Sequence, residues 1–191
     1  MTRPTTQAAD GLPRWSWTVA EIERMAAGGY FRDQDRFELV GGEIVPMSPK
    51  GRRHEIVRGV LALRFSRAAP QDVFVVSEPQ FNLAEDTYAV PDILVHSAAI
   101  KTPDVRGGDV LLVVEIADTS LAYDLRIKAQ LYASHGVREY WVINAATLMT
   151  TVHALPAGAA YATITEIAPG GLVSPALAPA LSVSLAALDL D

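Results

Sequence analysis

Two short apolar runs each carry one carboxylate: Pro91-Asp92-Ile93-Leu94-Val95 and Leu111-Leu112-Val113-Val114-Glu115-Ile116. Runs of this length and composition read as strands, and the second, apolar on both faces, reads as a central buried one. Ionised Asp and Glu are rarely taken out of water without a partner. As sheet neighbours ~4 Å apart, two carboxylates repel by ~4 kcal/mol at an effective dielectric of about 20. Either one of them takes up a proton or a cation sits between them. Magnesium suits such a pair, because it takes hard oxygen ligands and keeps several waters. Lys128 follows Asp124 by one helical turn, on the helix that leaves the Glu115 strand, and can fold back over the strand end.

The remaining pattern surrounds these strands with helices. Thr18-Val19-Ala20-Glu21 is a capping-box sequence and opens a short helix that stops at Gly28-Gly29. Residues 36–40 and 43–47 flank Gly41-Gly42, which predicts a β-hairpin with a primed turn. Ile56, Val57, Val60, Leu61 and Leu63 give residues 52–67 a helical stripe. Strands are predicted over 72–77, 80–83, 88–96 and 110–116. A helix capped by Thr119 or Ser120 and ended by Gly136 follows, then a strand over 138–144. Further β-like stretches cover 149–155, 161–167 and 181–185. The fold class is therefore α/β in the mixed α+β sense, with one mixed central β-sheet flanked by helices. Residues 1–16 read as a loose tail and 17–191 as a single domain.

Composition narrows the function classes. The 191 residues contain no cysteine, which excludes disulfides and thiolate metal sites. The N-terminus lacks the apolar run of a signal peptide and no segment has the length of a membrane span, so the expectation is a cytoplasmic protein without membrane contact. The net charge of −6 argues against strong nonspecific DNA binding, which favours basic proteins. Charge is nevertheless uneven: Arg52, Arg53, Arg58, Arg64 and Arg67 oppose only Glu55 within 52–67. This is either a solvated helix face or a phosphate-facing one. His96, His135 and His153 have no zinc-type spacing, and no P-loop or Gly-x-Ser-x-Gly motif is present.

Two acids on adjacent strands with a nearby lysine resemble the PD-(D/E)XK nuclease core of restriction-endonuclease-like proteins, and the details resemble the Uma-two family within it. The matching residues are Phe37-Glu38-Leu39-Val40-Gly41-Gly42-Glu43-Ile44-Val45, His54, Pro91-Asp92, Val114-Glu115-Ile116, Asp124 with Lys128, and Tyr132 through Gly136 to Ile143. The resemblance implies a restriction-endonuclease-like core and magnesium-dependent cleavage of phosphodiester bonds in DNA, with manganese able to substitute. Asp92 and Glu115 would ligate the metal with help from the Ile116 carbonyl. Lys128 would supply positive charge, and Glu38 would complete or approach the metal shell. The superfamily lysine falls two residues after the second acid, but Ala117 stands there, so its role moves to Lys128.

Each residue also has a plainer reading. Asp92 can end a strand at a turn, and Asp124 with Lys128 can be a surface i,i+4 ion pair worth ~0.3–0.5 kcal/mol. Glu38 alternates away from Phe37 and Leu39, toward solvent or a cleft. His54 borders the apolar stripe of its helix and reads first as a hydrogen-bonded structural residue. Arg52, Arg53 and Arg58 are the candidates for DNA contact. Trp141 and Tyr140 read as core or dimer-interface residues, and the apolar 140–143 strand, with analogy, suggests a homodimer. The alternatives to a DNA endonuclease are a catalytically inactive nuclease fold used for binding or regulation, and a hydrolase of small phosphodiesters.

Overall fold

The computed structural model describes residues 15–32 and 34–190. Most of the predicted tail, residues 1–14, lies outside the described residues. Thr18 and Glu21 form the expected capping box, Thr18 N–H donating to Glu21 Oε2 at 2.9 Å, and open helix α1 (Val19–Ala27). Strands β1 (Phe37–Val40) and β2 (Glu43–Pro46) then pair as a hairpin. Gly41 and Gly42 turn between them with φ of +57° and +78°, the left-handed values a primed turn requires.

Helix α2 (Arg52–Ala68) leads to β3 (Val73–Ser77), β4 (Phe81–Ala84), β5 (Thr87–Ala89) and β6 (Ile93–Ser97). β7 (Val110–Ala117) follows, and a helical crossover over 121–134 returns the chain to β8 (Glu139–Asn144). The crossover comprises α3 (Leu121–Tyr123), a π-helical turn (Asp124–Lys128) and α4 (Ala129–Ser134). Gly136, at φ +78°, ends it in the left-handed conformation. β9 (Thr150–Ala157) and β10 (Ala160–Ile167) form a final hairpin.

Three expectations need correction. The strands make two sheets rather than one: β2-β1-β5-β4, and a six-stranded sheet ordered β10-β9-β8-β7-β6-β3 in which β7 and β8 run parallel. The predicted 88–96 strand is accordingly broken. Its first part, β5, joins the small sheet and its second, β6, the large one. Proline at 91 has no N–H to give to a ladder, and the chain changes sheets around it. Third, 181–185 is not a strand. Val183 makes one bridge with Val173, between 3-10 turns at Pro179–Leu181 and Leu185–Ala187. Leu181, Val183 and Leu185 are all buried, so the alternating pattern reported burial without a partner strand.

The large sheet has a core on each face. Ile93, Val95, Leu112, Val114, Ile116, Trp141 and Ile143 pack against Val57, Leu61 and Phe65 of α2. Leu94, Val113, Ala117, Tyr140 and Val142 face Ala129, Tyr132 and Ala133 of α4. A smaller cluster of Val19, Ile22, Leu39 and Tyr88 joins α1 to the four-stranded sheet. Tyr140–Ile143 lies inside the chain's own core between β7 and β9, so this strand offers no dimer interface.

The two faces explain where the acids point. Glu115 shares strand parity with Val113 and Ala117, and Asp92 with Leu94, so both belong to the face covered by the crossover helix. In the β6–β7 register Ile93 pairs with Val114. Continuing that register one step sets Asp92 opposite Glu115.

Phe65→Ala is expected to lower unfolding free energy by ~3–5 kcal/mol, because it empties a fully buried position against Trp141, whose ring centroid is 6.3 Å away. Urea unfolding followed by tryptophan fluorescence measures this; a loss below about 1 kcal/mol would contradict the packing of α2 described here.

Candidate active site

Where the two sheets meet, a cavity of about 410 Å³ opens beside Asp92 and Glu115. Its floor is the end of β7, and its walls are the β2–α2 segment, the first turn of α2 and the crossover helix. Glu38, His54, Ile116, Asp124 and Lys128 also line it. Thus Asp92, Glu115, Lys128, Glu38, His54 and Asp124 are brought together, from five different elements or their flanks.

Lys128 is the hub. Its Nζ lies 2.8 Å from Glu115 Oε1 and 3.0 Å from Glu38 Oε1, with all three residues buried. A π-helical turn widens the helix by one residue and commonly marks a functional site. Here it runs from Asp124 to Lys128, whose side chains are both buried and both line the cavity. Asp124 accepts a 2.6 Å hydrogen bond from Ser120 Oγ, so Ser120 stabilises the site as well as standing before the helix. Glu38 points into the cleft, the second of its two expected directions, and also accepts from Val90 N–H at 2.9 Å.

Asp92 is bound on both oxygens. Oδ2 accepts from Ile116 N–H at 2.8 Å and meets His54 Nε2 at 3.0 Å. A carboxylate only accepts, so the ring proton is on Nε2. His54 Nδ1 is buried without a hydrogen bond, with Glu55 Oε1 3.4 Å away. Asp92 Oδ1 accepts from Lys50 Nζ at 2.7 Å. Burial pushes the Asp92 carboxyl upward, but the His54 hydrogen bond and the Lys50 charge outweigh it and hold the carboxyl down at about 2.

Glu115 has the opposite balance. Burial raises its carboxyl well above the usual range, Lys128 opposes this, and Asp92, Asp124 and Glu38 push it further up. Asp124 is raised for the same first reason, burial. Burial works against the Lys128 charge, yet Glu115, Glu38 and Asp124 more than compensate and keep it an ammonium. Tyr132 donates its hydroxyl to Glu115 Oε1 at 3.0 Å. Burial and then Glu115 raise that phenol well above its normal range, so it remains a neutral donor.

Fully ionised, the four buried acids would exceed the two ammonium groups by two charges with His54 neutral. The donor set therefore fits a divalent, oxygen-seeking cation. Among the described residues no three His, Asp or Glu side chains form a ready metal cage. Magnesium is held by one or two carboxylates and completes its shell with water and phosphate oxygens. Asp92, Glu115 and the Ile116 carbonyl would hold it, with Glu38 within the same cluster.

Sequence reasoning missed Lys50, Ser120 and Tyr132. Lys50 sits in Ser48-Pro49-Lys50-Gly51, a turn-like segment with no periodic signal. Of the basic candidates, Arg53 bonds the carbonyls of Ala145 and Leu190, both at 3.3 Å. Arg58 pairs with Glu55 and with Glu78. Arg52 is exposed at the start of α2.

A mixed sheet with a helical crossover between its two parallel strands, and acids with a lysine gathered at the strand ends, defines a restriction-endonuclease-like protein. More particularly, the chain belongs to the Uma2 family: the model of that family, described as "putative restriction endonuclease", matches residues 19–187. A similar solved structure is a protein from Anabaena variabilis ATCC 29413, described as a "putative nuclease belonging to DUF820". It is 17% identical, with a TM-score of 0.66 over 88% of this chain and 95% of that one. At that identity it shows the shared fold. No curated protein matches the chain. No helix among the described residues is long and apolar enough to cross a membrane.

Because Glu115 holds its proton to higher pH when folded than when unfolded, native stability falls as pH rises above the unfolded value of ~4.3. Glu115→Gln keeps an acceptor for Lys128 and Tyr132 and removes this slope. In chelator, the variant is expected to melt above wild type at pH 8, by roughly 2–4 °C for each kcal/mol relieved, and to converge with it near about pH 4. Calorimetric melting across pH checks this; a variant less stable at pH 8 would contradict the charge excess.

Proposed function

We propose that the chain is a metal-dependent nuclease that hydrolyses phosphodiester bonds in DNA. The observation that supports this most is the buried Lys128 ammonium bridging Glu115 and Glu38 beside Asp92. Such a cluster holds both the negative charge that attracts a divalent cation and a cation that stabilises charge on phosphoryl oxygens. Bound magnesium, or manganese in its place, would lower the pKa of a coordinated water and neutralise charge on the phosphate.

The chain's own groups supply the rest. Ile116 N–H and His54 fix the orientation of Asp92 through Oδ2, which leaves Oδ1, contacted by Lys50, as the oxygen a cation would take. Tyr132 fixes Glu115. Lys128, whose charge Glu115 and Glu38 favour, lines the cavity and would offset negative charge on the scissile phosphate. Asp124 and Glu38 keep that ammonium charged and in place. Arg52 is the candidate best placed for phosphate contact outside the cavity, since Arg53 and Arg58 are engaged within the chain. We infer that a homodimer cuts duplex DNA, because a single cleft of this kind acts on one strand at a time and two copies would serve both strands. The cytoplasm, where DNA and magnesium are both available, is the compartment this reading requires.

A second reading has its own observation. Both Asp92 oxygens are bound by protein donors, as in a nuclease fold retained for binding or regulation rather than cleavage. Incubation with linear and supercoiled DNA decides between them. Cleavage is expected with magnesium or manganese, none with chelator, and a loss of ~10²-fold or more in Asp92→Asn, Glu115→Gln and Lys128→Met. Folded wild type that binds DNA but cuts neither DNA, RNA nor small phosphodiesters would establish the second reading.

A further inference from the structure

We propose that Lys50 competes with a divalent cation for Asp92 Oδ1: its ammonium closes the site when the cation is absent and leaves Asp92 when the cation enters. The inference rests on the metal-site reading above and adds a residue that the family resemblance does not supply.

The geometry leaves one route to Asp92. Oδ2 is taken from within by Ile116 N–H and His54, both fixed by the fold. Oδ1 is the remaining oxygen, and Lys50 Nζ covers it at 2.7 Å. An ammonium accepts nothing and cannot share that position with a metal ion, because two cations would then meet across one oxygen. Lys50 also has somewhere to go. Its Nζ already lies 2.5 Å from Glu78 Oε1, an oxygen it shares with Arg36, while Arg58 is 3.4 Å from Glu78 Oε2. Glu78 itself adopts a left-handed φ of +52°, an uncommon conformation for a non-glycine residue that costs free energy wherever it occurs.

The segment bearing Lys50 is suited to such a shift. It joins β2 to α2, runs along the cavity rim through Met47, Ser48 and Pro49, and lies outside both sheets. The Lys50 side chain is 13% exposed and that of Glu78 24%, whereas that of Asp92 is 4% exposed. Release therefore moves the ammonium outward, from a buried oxygen toward a partly solvated one. In this state the ammonium remains near the cavity mouth.

Manganese titration by calorimetry tests this on the full chain, with Lys50→Met, Lys50→Gln and Arg58→Met beside wild type. Arg58→Met removes the same charge from the same neighbourhood but makes no contact with Asp92. Both Lys50 variants are expected to bind manganese on the order of tenfold more tightly than wild type, and Arg58→Met much less so. Equal affinity in wild type and the Lys50 variants overturns the competition while leaving the metal site standing. So does an equal gain in Arg58→Met, which would mark a general charge effect. Absence of binding in all four proteins overturns the metal site and the competition together.

Amine acetylation of wild type, read by mass spectrometry, needs no variant to fold. The chain has three lysines; Lys101 is exposed and serves as the internal reference. Lys50 is expected to label slowly in chelator and ~3-fold or more faster with saturating manganese, because its ammonium then has one carboxylate partner instead of two and lies nearer solvent. Unchanged labelling of Lys50 under manganese that binds would overturn the proposal.

Discussion

One buried ammonium holds this site together. Lys128 reaches from the π-helical turn across to Glu115 on the large sheet and Glu38 on the small one, so it ties both sheets and the crossover helix to a single point. Without it, Glu38, Glu115 and Asp124 would form a cluster of buried like charges, which no packing gain readily offsets. With it, the cluster still carries more acid than base. Fully ionised, the four acids would exceed the two ammonium groups by two charges, an excess that protons on Glu115 and Asp124 or a bound cation can offset.

That imbalance separates the two central carboxyls although they lie opposite each other in the β6–β7 register. Asp92 is surrounded by donors from the backbone, His54 and Lys50 and stays ionised at low pH. Glu115, buried beside other acids, is pushed toward its protonated form. Environments that divide like groups in this way are characteristic of sites that do chemistry, because the same burial that costs stability makes each group responsive to an incoming ion.

Much of this arrangement was legible before any coordinates. Glu115 stands in an apolar run too short for a helix and too continuous for an exposed strand, which left few explanations other than a buried site. Gly41-Gly42 announced its hairpin because a primed turn needs two positive φ angles. Family resemblance, rather than periodicity, raised Lys128 above a surface ion pair. Lys50 was illegible because its partners are 28 and 42 residues away and its segment has no regular structure. The division into two sheets was hidden for a related reason. Pro91 marks a break in hydrogen bonding, but only tertiary packing decides that β5 and β6 turn to different partners.

The most direct test is a crystal of this chain grown with manganese and measured on both sides of the manganese absorption edge. The account requires an anomalous peak between the carboxylates of Asp92 and Glu115, at ligand distances of roughly 2.0–2.3 Å, with Lys128 still on Glu115. Manganese bound elsewhere on the chain, with the protons and ammonium groups of this cluster unchanged, would contradict it.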